Sequence, residues 1–391
     1  MDLEERNYAC EYRQSEEASG TPNILDRIVM YVRRFVSLSQ YQSIVIALWI
    51  VHTYLIEIAD TTPYLAITSA EKQCGKSRLL EVLESLVANP WLTGKVTAAV
   101  LSRKIDSQQP TLLLDETDAA FGSGNEYAEV LRGVLNTGHR RGGKASCCVR
   151  EGDDFIYKDF STFCPKALAG IGKLPDTVAD RSIPIRLKRA KPGEVLERFR
   201  LRDIVDASTN LRSEIDDWCK ANSPLLEGAD PDLPQELSDR QQDGAEPLLA
   251  IADAAGGLWP SAARRSLVKL CREAKDATES TGSQLLSDIR DVFNDKNVAR
   301  MNSAELSVAL GAIETSPWCD WSRGRALTPP QLARLLQPFG IFPCCIRIGD
   351  RTVRGYRRDQ FEDAFARYLR GVVSPEAPQS ATVQQESGEE Q

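Results

Sequence analysis

Histidine, a surplus of positive charge and long apolar runs are what this chain of 391 residues has least of. Only two histidines occur, His52 and His139. The ten cysteines form no C-x-x-C pair, and none stands at metal spacing from a histidine, which argues against structural zinc. Adjacent Cys147-Cys148 and Cys344-Cys345 suit buried thiols of a reducing cytoplasm better than a disulfide framework. Basic residues are outnumbered, 48 Lys and Arg to 56 Asp and Glu, for a net charge of −8. The chain is therefore not coated in positive charge, although a local basic pore or wing would suffice to hold phosphates. The most apolar stretch, Ile44 to Ile58, carries His52 and Glu57 and is short for a bilayer, so it reads as a buried helix. The opening Met1-Asp2-Leu3-Glu4-Glu5-Arg6 lacks the apolar core of a signal peptide. A cytoplasmic protein without membrane contact is expected.

Hydrophobic residues make up 42% of the chain and charged residues 27%, the balance of a soluble globular protein long enough for two or three domains. It is organised around Tyr64 to Leu80. An apolar run from Tyr64 to Ile67 has the length of a buried strand, and leucines at helical spacing follow Ser77. Between them Gly75-Lys76-Ser77 meets the C-terminal half of the phosphate-loop pattern G-x-x-x-x-G-K-[ST], with Ala70 in place of its first glycine. In a phosphate loop Gly75 lets the backbone approach the anion. Lys72, Gln73, Cys74, Gly75, Lys76, Ser77 and Arg78 are the residues expected to contact nucleotide, with N–H groups of Lys72 to Ser77 aimed at phosphate. Lys76 would reach the β- and γ-phosphates, and Ser77 would offer its hydroxyl to Mg²⁺. The tripeptide alone also fits a solvated turn.

Downstream, the stretch Pro110 to Asp118 holds an apolar strand that ends in the adjacent carboxylates Asp115 and Glu116. Adjacent carboxylates there suit Asp115 to Mg²⁺ and Glu116 to orienting and deprotonating a water. A capped acidic turn is the plain alternative. Together the two stretches, in this order, point to ATP and Mg²⁺.

Four strings carry a resemblance: Thr62 to Ile67, Leu112 to Asp118, Leu135 to Gly143 and Leu174 to Ile183. They are similar to a P-loop family known only as a domain of unknown function, found alone or behind phage and plasmid primases and related to AAA+ helicases. The resemblance spans roughly residues 22 to 371. It implies an α/β fold, a P-loop NTPase (AAA+-like) parallel sheet with N-terminal helices, a helical lid and a C-terminal winged-helix-like domain. In related ring ATPases a polar residue at the end of the strand following Phe163 senses the γ-phosphate; here Gly170, Gly172 and Lys173 stand there. The resemblance also implies that Arg181 is an arginine finger acting across a subunit interface, against the alternative of an internal Asp180–Arg181 ion pair. Arg240, Arg264 and Arg265 are eligible as the lid arginine that folds over nucleotide.

The expected organisation is a flexible terminus at 1–21, helices over 22–60, the NTPase core at 61–205, linker and lid at 206–278, the winged-helix-like domain at 279–373 and a disordered acidic tail at 374–391. Within it, Lys188 to Arg202 reads as a basic helix and Asn222 to Gly244 as a linker. Ala262 to Ala274 and Ser283 to Phe293 read as separate helices, with Ser303 and Thr328 as later caps. The glycine-bracketed stretch His139 to Lys144 reads as a movable basic loop, facing either a ring channel, a neighbour's nucleotide or solvent. Arg347, Arg351, Arg354, Arg357 and Arg358 crowd the proposed wing, to touch DNA phosphates or only to dock protein. The functional expectation is an ATP-hydrolysing motor on DNA, a homo-oligomeric ring that takes priming from a primase or replication partner. The alternative is a nucleotide-gated DNA-binding or protein-remodelling module without unwinding activity.

Overall fold

The computed structural model describes residues 23–369, apart from 70, 72, 95, 122–125, 152–153, 173, 314–315, 322–324 and 349–350. The expectations for 1–21 and 374–391 lie outside the described residues. Two compact units divide the chain, Met1–Lys275 and Asp276–Gln391.

The first unit opens with helices α1 (Ile24–Phe35) and α2 (Gln40–Tyr54). Asn23 and Ser39 sit in extended backbone and accept from the N–H of Leu25 and Gln42, while Asp26 and Gln42 reach back to the cap N–H. These boxes satisfy donors that a helix start leaves orphaned. A helix apolar on every face has to be enclosed, and α2 is buried from Gln42 to Thr53. Its Trp49 indole N–H donates to Pro63 O at 2.9 Å. Among the described residues no single helix is long and apolar enough to cross a membrane.

There follow β1 (Tyr64–Ser69), α3 (Lys76–Glu84), β2 (Pro90–Thr93), α4 (Ala98–Gln108), β3 (Thr111–Leu114), α5 (Thr117–Phe121), α6 (Glu126–Thr137), the antiparallel hairpin β4 (Lys144–Glu151) and β5 (Asp154–Ser161), β6 (Lys166–Ile171), the single turn α7 (Asp176–Ala179) and β7 (Ser182–Arg186). Five strands form a parallel sheet in the order β2-β3-β6-β1-β7. Alternation along each strand sorts the side chains into two cores. Leu65, Ile67, Leu113, Ala167 and Ile183 join the residues of α1, α2 and α3, whereas Tyr64, Ala66, Leu112, Leu114 and Leu168 join those of α4 and α6. Both faces are therefore buried, which is why the strands read as near-continuous apolar runs. The chain leaves β1 toward β2 and leaves β6 in the opposite direction, toward β7. Open α/β sheets take ligands in the crevice that such a reversal leaves beyond the strand C-termini.

Helices α8 (Leu201–Leu226), α9 (Asp239–Ala255) and α10 (Trp259–Asp295) complete the first unit and lead into the second. Three sequence readings are corrected here. The basic stretch from Lys188 is not helical before Leu201: Gly193 has φ +87°, and the segment is pinned to α1 by Glu197–Arg34 at 2.7 Å and to the turn after it by Ser37 donating to Glu194 at 2.8 Å. The linker shrinks to residues 227–238, and Leu248, Leu249 and Ile251 of α9 share the core of α1, α2 and the sheet. The two helices expected at 262–274 and 283–293 are one helix of 37 residues. Gly282, within that helix, serves close packing, since a Cβ there would sit 2.6 Å from Phe339 Cζ.

The second unit continues with β8 (Arg300–Asn302), α11 (Ser303–Gly311), α12 (Pro329–Leu336), β9 (Cys344–Ile348), β10 (Arg351–Arg357) and α13 (Glu362–Tyr368). Its sheet is antiparallel in the order β8-β10-β9. Phe293, Met301, Trp318, Tyr356 and Phe361 form its core, and the Trp318 indole donates to Asp288 at 2.5 Å. The cap of α11 is Asn302 rather than Ser303, with Asn302 Oδ1 accepting from Glu305 N–H at 2.7 Å. Thr328 caps α12 in a box with Gln331.

Candidate functional site

At the C-terminal edge of the parallel sheet, β1 gives way to a turn that ends on Gly75, whose φ of +89° is open to glycine and strained for other residues. Gly75 is the N-cap of α3 and supplies no side chain to its first turn. The orphan N–H groups of that turn stay available to an anion. Lys76 Nζ donates to Ser69 Oγ at 2.5 Å, which draws the ammonium back over the end of β1. Ser77 Oγ donates to Asp115 Oδ2 at 2.7 Å. That bond joins the helix after β1 to the end of β3, although β6 lies between those strands. The Glu116 N–H donates to the other oxygen of Asp115 at 2.8 Å. Glu116 itself is exposed, with a φ of +55°, a left-handed conformation that costs a non-glycine residue free energy and collects at functional positions. Beside it, buried Thr117 donates to Ala169 O of β6 at 3.0 Å.

The structure thus brings Lys76, Ser77, Asp115 and Glu116 to one crevice. Mg²⁺ takes oxygen donors and uses few from protein, and a hydroxyl already paired with a carboxylate fits that requirement. Gln73, at φ +63°, lies in the turn. The Cys74 side chain is buried in the core, so only its backbone could face a ligand. Arg78 is committed elsewhere: it pairs with Glu81 at 2.6 Å and lies over the Phe199 ring at 5.2 Å. Lys72 and Lys173 lie outside the described residues. Ser69 was not foreseen as a lysine partner, and its one signal in the sequence is a hydroxyl at the end of an apolar strand.

Arg181 and Arg240 belong to the opposite edge. Arg181 O accepts from the N–H of Tyr64, the first residue of β1, at 3.1 Å. Six extended residues put that end about 17 Å from the Lys76 end. There Arg181 Nε donates to His139 Nδ1 at 3.2 Å and its Nη1 donates to Thr177 O. Asp180 pairs with Arg240 at 3.0 Å, so the internal Asp180–Arg181 pair of the alternative reading does not form. Arg240 does not fold over the Gly75 turn of its own chain. Arg264 is held by both oxygens of Asp253 at 2.7 and 2.9 Å.

The His139 to Lys144 stretch is not a movable loop. The Arg141 guanidinium donates to the carbonyls of Ile56, Glu57 and Ala59, the Glu57 contact at 2.6 Å, and Arg140 pairs with Asp243 at 2.6 Å. Beneath them Lys166 is fully buried, donating to the carbonyls of Gly138, Thr162 and Cys164 at 3.1, 2.9 and 2.9 Å. Three acceptors satisfy all three ammonium protons, and burial lowers the Lys166 pKa. Burial, then the charges of Arg181 and Arg140, lower that of His139 to about 4. A lysine inside an apolar strand was the sequence signal for this anchor.

Residues 186–368 match DUF3631, described as a protein of unknown function. An uncharacterized 28.9 kDa protein in the xis 5′ region of Saccharopolyspora erythraea is 36% identical over 194 residues, covering 49% of this chain and 70% of that protein. The chain belongs to the DUF3631 family. The matched span is narrower than the resemblance drawn from sequence, and Lys76, Ser77, Asp115, Glu116 and Arg181 precede it, while Arg240 and Asp243 lie within it.

Proposed function

We propose that this DUF3631 protein is an ATP-hydrolysing P-loop motor of AAA+ helicase type that acts on DNA as a homo-oligomeric ring. The observation that carries the reading is the Ser77–Asp115 hydrogen bond at 2.7 Å. It joins two stretches separated in sequence, the Gly75 turn and the acidic end of β3, at the crevice where a parallel sheet takes ligands.

In this reading Lys76 binds the β- and γ-phosphates, with the uncapped first turn of α3 behind it. Ser77 and Asp115 hold Mg²⁺, which supplies charge neutralisation on the phosphates. Glu116 orients the attacking water and takes its proton. Arg181 serves a second copy, since about 17 Å of β1 separates it from its own phosphate loop. Its guanidinium stabilises charge on the transferring phosphoryl group. The second unit supports the DNA reading: its helix, strand, two helices and hairpin follow the order of a winged-helix module, and Arg347, Arg351 and Arg354 are exposed on β9 and β10. Arg358 is tied to Asn294 at 2.7 Å. A primase partner and a phage or plasmid setting rest on the family resemblance alone.

One observation favours a nucleotide-gated binding or remodelling module that hydrolyses slowly. Strand β6 ends in Gly170-Ile171 and is followed by Gly172, so among the described residues there no polar side chain stands to sense a γ-phosphate. The experiment is ATP turnover with and without single-stranded DNA, with the mass in solution measured in parallel. DNA-stimulated turnover by an oligomer supports the motor. Binding of ATP with turnover indifferent to DNA supports the module, and failure to bind ATP overturns both.

A further inference from the structure

A second cavity, of about 260 Å³, opens at the edge of the sheet opposite the phosphate loop. Thr61, His139, Arg140, Arg181, Arg240 and Asp243 are among its lining residues. We propose that it is an anion site that receives a phosphoryl group. The inference extends the reading of Arg181 and rests on that reading only for where the phosphoryl group comes from.

Charge is the first argument. Three guanidinium groups line the cavity, and Arg181 makes no ion pair with a carboxylate among the described residues. Arg140–Asp243 and Arg240–Asp180 are paired, but their side chains are 60% and 38%, and 58% and 56%, exposed. Ion pairs in such settings contribute little, so either arginine can turn to a dianion at small cost. Guanidinium forks match phosphate oxygens in a way that a lysine does not.

Donor geometry is the second. His139 Nδ1 accepts from Arg181 Nε at 3.2 Å, and the ring also bonds the Asn136 backbone, so His139 orients the Arg181 guanidinium at the cavity wall. Buried Lys166, donating to Gly138 O at 3.1 Å, fixes the residue before His139.

Size is the third. Pockets for whole drug-sized ligands run to about 300–1,000 Å³, and a water occupies roughly 30 Å³ of liquid. A cavity of about 260 Å³ therefore has room for one or two phosphoryl groups with some water. Two sources share this chemistry: free polyphosphate, or the phosphate end of a nucleotide held by a second copy of the chain.

The chain's two histidines make the test direct, because His52 is fully buried and serves as an internal reference while His139 reports. The protein is full-length Lys76→Ala, which disables its own phosphate loop, with labelled histidine followed by NMR from about pH 7.5 to the acid limit of the fold. In the first arm inorganic tripolyphosphate is added, with sodium chloride at matched ionic strength as control. In the second, labelled Lys76→Ala is mixed with unlabelled Arg181→Ala loaded with a non-hydrolysable ATP analogue. An anion seated against His139 raises its titration midpoint by about one pH unit or more, leaves the His52 resonances in place, and binds roughly tenfold more weakly after Arg140→Gln in a folded variant. A shift in the first arm assigns free polyphosphate as a ligand, and a shift confined to the second assigns the second copy's nucleotide. No shift in either arm, or the same shift with chloride, overturns the site. ATP turnover by the wild type, measured separately, is unaffected by that failure and still decides the motor reading.

Discussion

The Ser77 hydroxyl, on the helix that follows β1, donates to the Asp115 carboxylate at the end of β3 at 2.7 Å, although β6 lies between β1 and β3. Two oxygen donors in contact are a small site for a hard cation. Thermal melts with ATP plus Mg²⁺ should therefore exceed melts with ATP plus EDTA in the wild type. At a hundredfold excess over Kd the gain is about 2.7 kcal/mol. Ser77→Ala should shrink the Mg²⁺-dependent part, and an undiminished gain would detach Ser77 from the metal.

In the proposed reading Lys76 serves binding and Glu116 serves chemistry. Removing the ammonium in Lys76→Ala should abolish nucleotide-dependent activity, because the backbone donors left behind carry no full charge for the β- and γ-phosphates. Glu116→Gln keeps the shape but loses the base, so ATP should still bind while hydrolysis falls by on the order of 10²-fold or more. Equilibrium binding of a fluorescent ATP analogue beside single-turnover hydrolysis distinguishes the two. Loss of binding in Glu116→Gln would make that residue structural.

His52 gives the fold an acid limit. Burial lowers its pKa to about 4, against about 6.5 in an unfolded chain. Between those values the unfolded state takes up a proton that the folded state refuses, so this contribution is fully present above pH 6.5 and is lost as pH falls toward 4. The loss amounts to about 3 kcal/mol. Glutamine can keep a hydrogen bond to Thr62 Oγ1, now 2.9 Å from His52 Nε2, and cannot titrate in this range. Urea midpoints of the wild type should therefore fall more steeply than those of His52→Gln on acidification, and parallel curves would remove the claim.

Two glycines near the end of α6 should respond to alanine with opposite signs. Gly133 is exposed within the helix and a Cβ there meets nothing within 4 Å, so Gly133→Ala should stabilise by up to about 1 kcal/mol. At Gly138 a Cβ would lie 2.2 Å from Thr162 O and 2.7 Å from Lys166 Nζ. Gly138→Ala should cost about 2 kcal/mol or more, as overpacking does. Denaturant unfolding of both variants reads the difference.

The crevice residues were legible because local signals agreed: an apolar strand, a turn glycine, a hydroxyl after a lysine, and paired carboxylates closing another apolar strand. Where reading failed, partners distant in sequence decided. Nothing within His139 to Lys144 announces that Arg141 would bind carbonyls at 56, 57 and 59. Gly282 carried a break signal, yet the helix runs through it because Phe339 needs the space. At 188–200 the punctuation is present as Pro192-Gly193, and a turn there, with Gly193 at φ +87°, outweighs the helix-favouring basic composition.

Arg181 decides whether the chain works as a ring. Its neighbour Asp180 is already engaged by Arg240 at 3.0 Å, so loss of Arg181 breaks no Asp180 ion pair. What it removes is a guanidinium that donates to His139 at 3.2 Å and to the Thr177 carbonyl, both without charge, and the fold should tolerate that with little change in unfolding midpoint. A finger that serves a second copy makes turnover rise with protein concentration, since an isolated chain has no charge opposite its γ-phosphate. Arg181→Ala should leave nucleotide affinity nearly intact and lower turnover by roughly 10³-fold. Mixing Arg181→Ala with Lys76→Ala then tests the interface itself. One variant brings an intact phosphate loop and the other an intact arginine, so an interface formed between them in the right order is complete and activity returns. If the two folded variants co-assemble, as followed by mass in solution, and turnover stays at the level of either alone, Arg181 does not act across subunits.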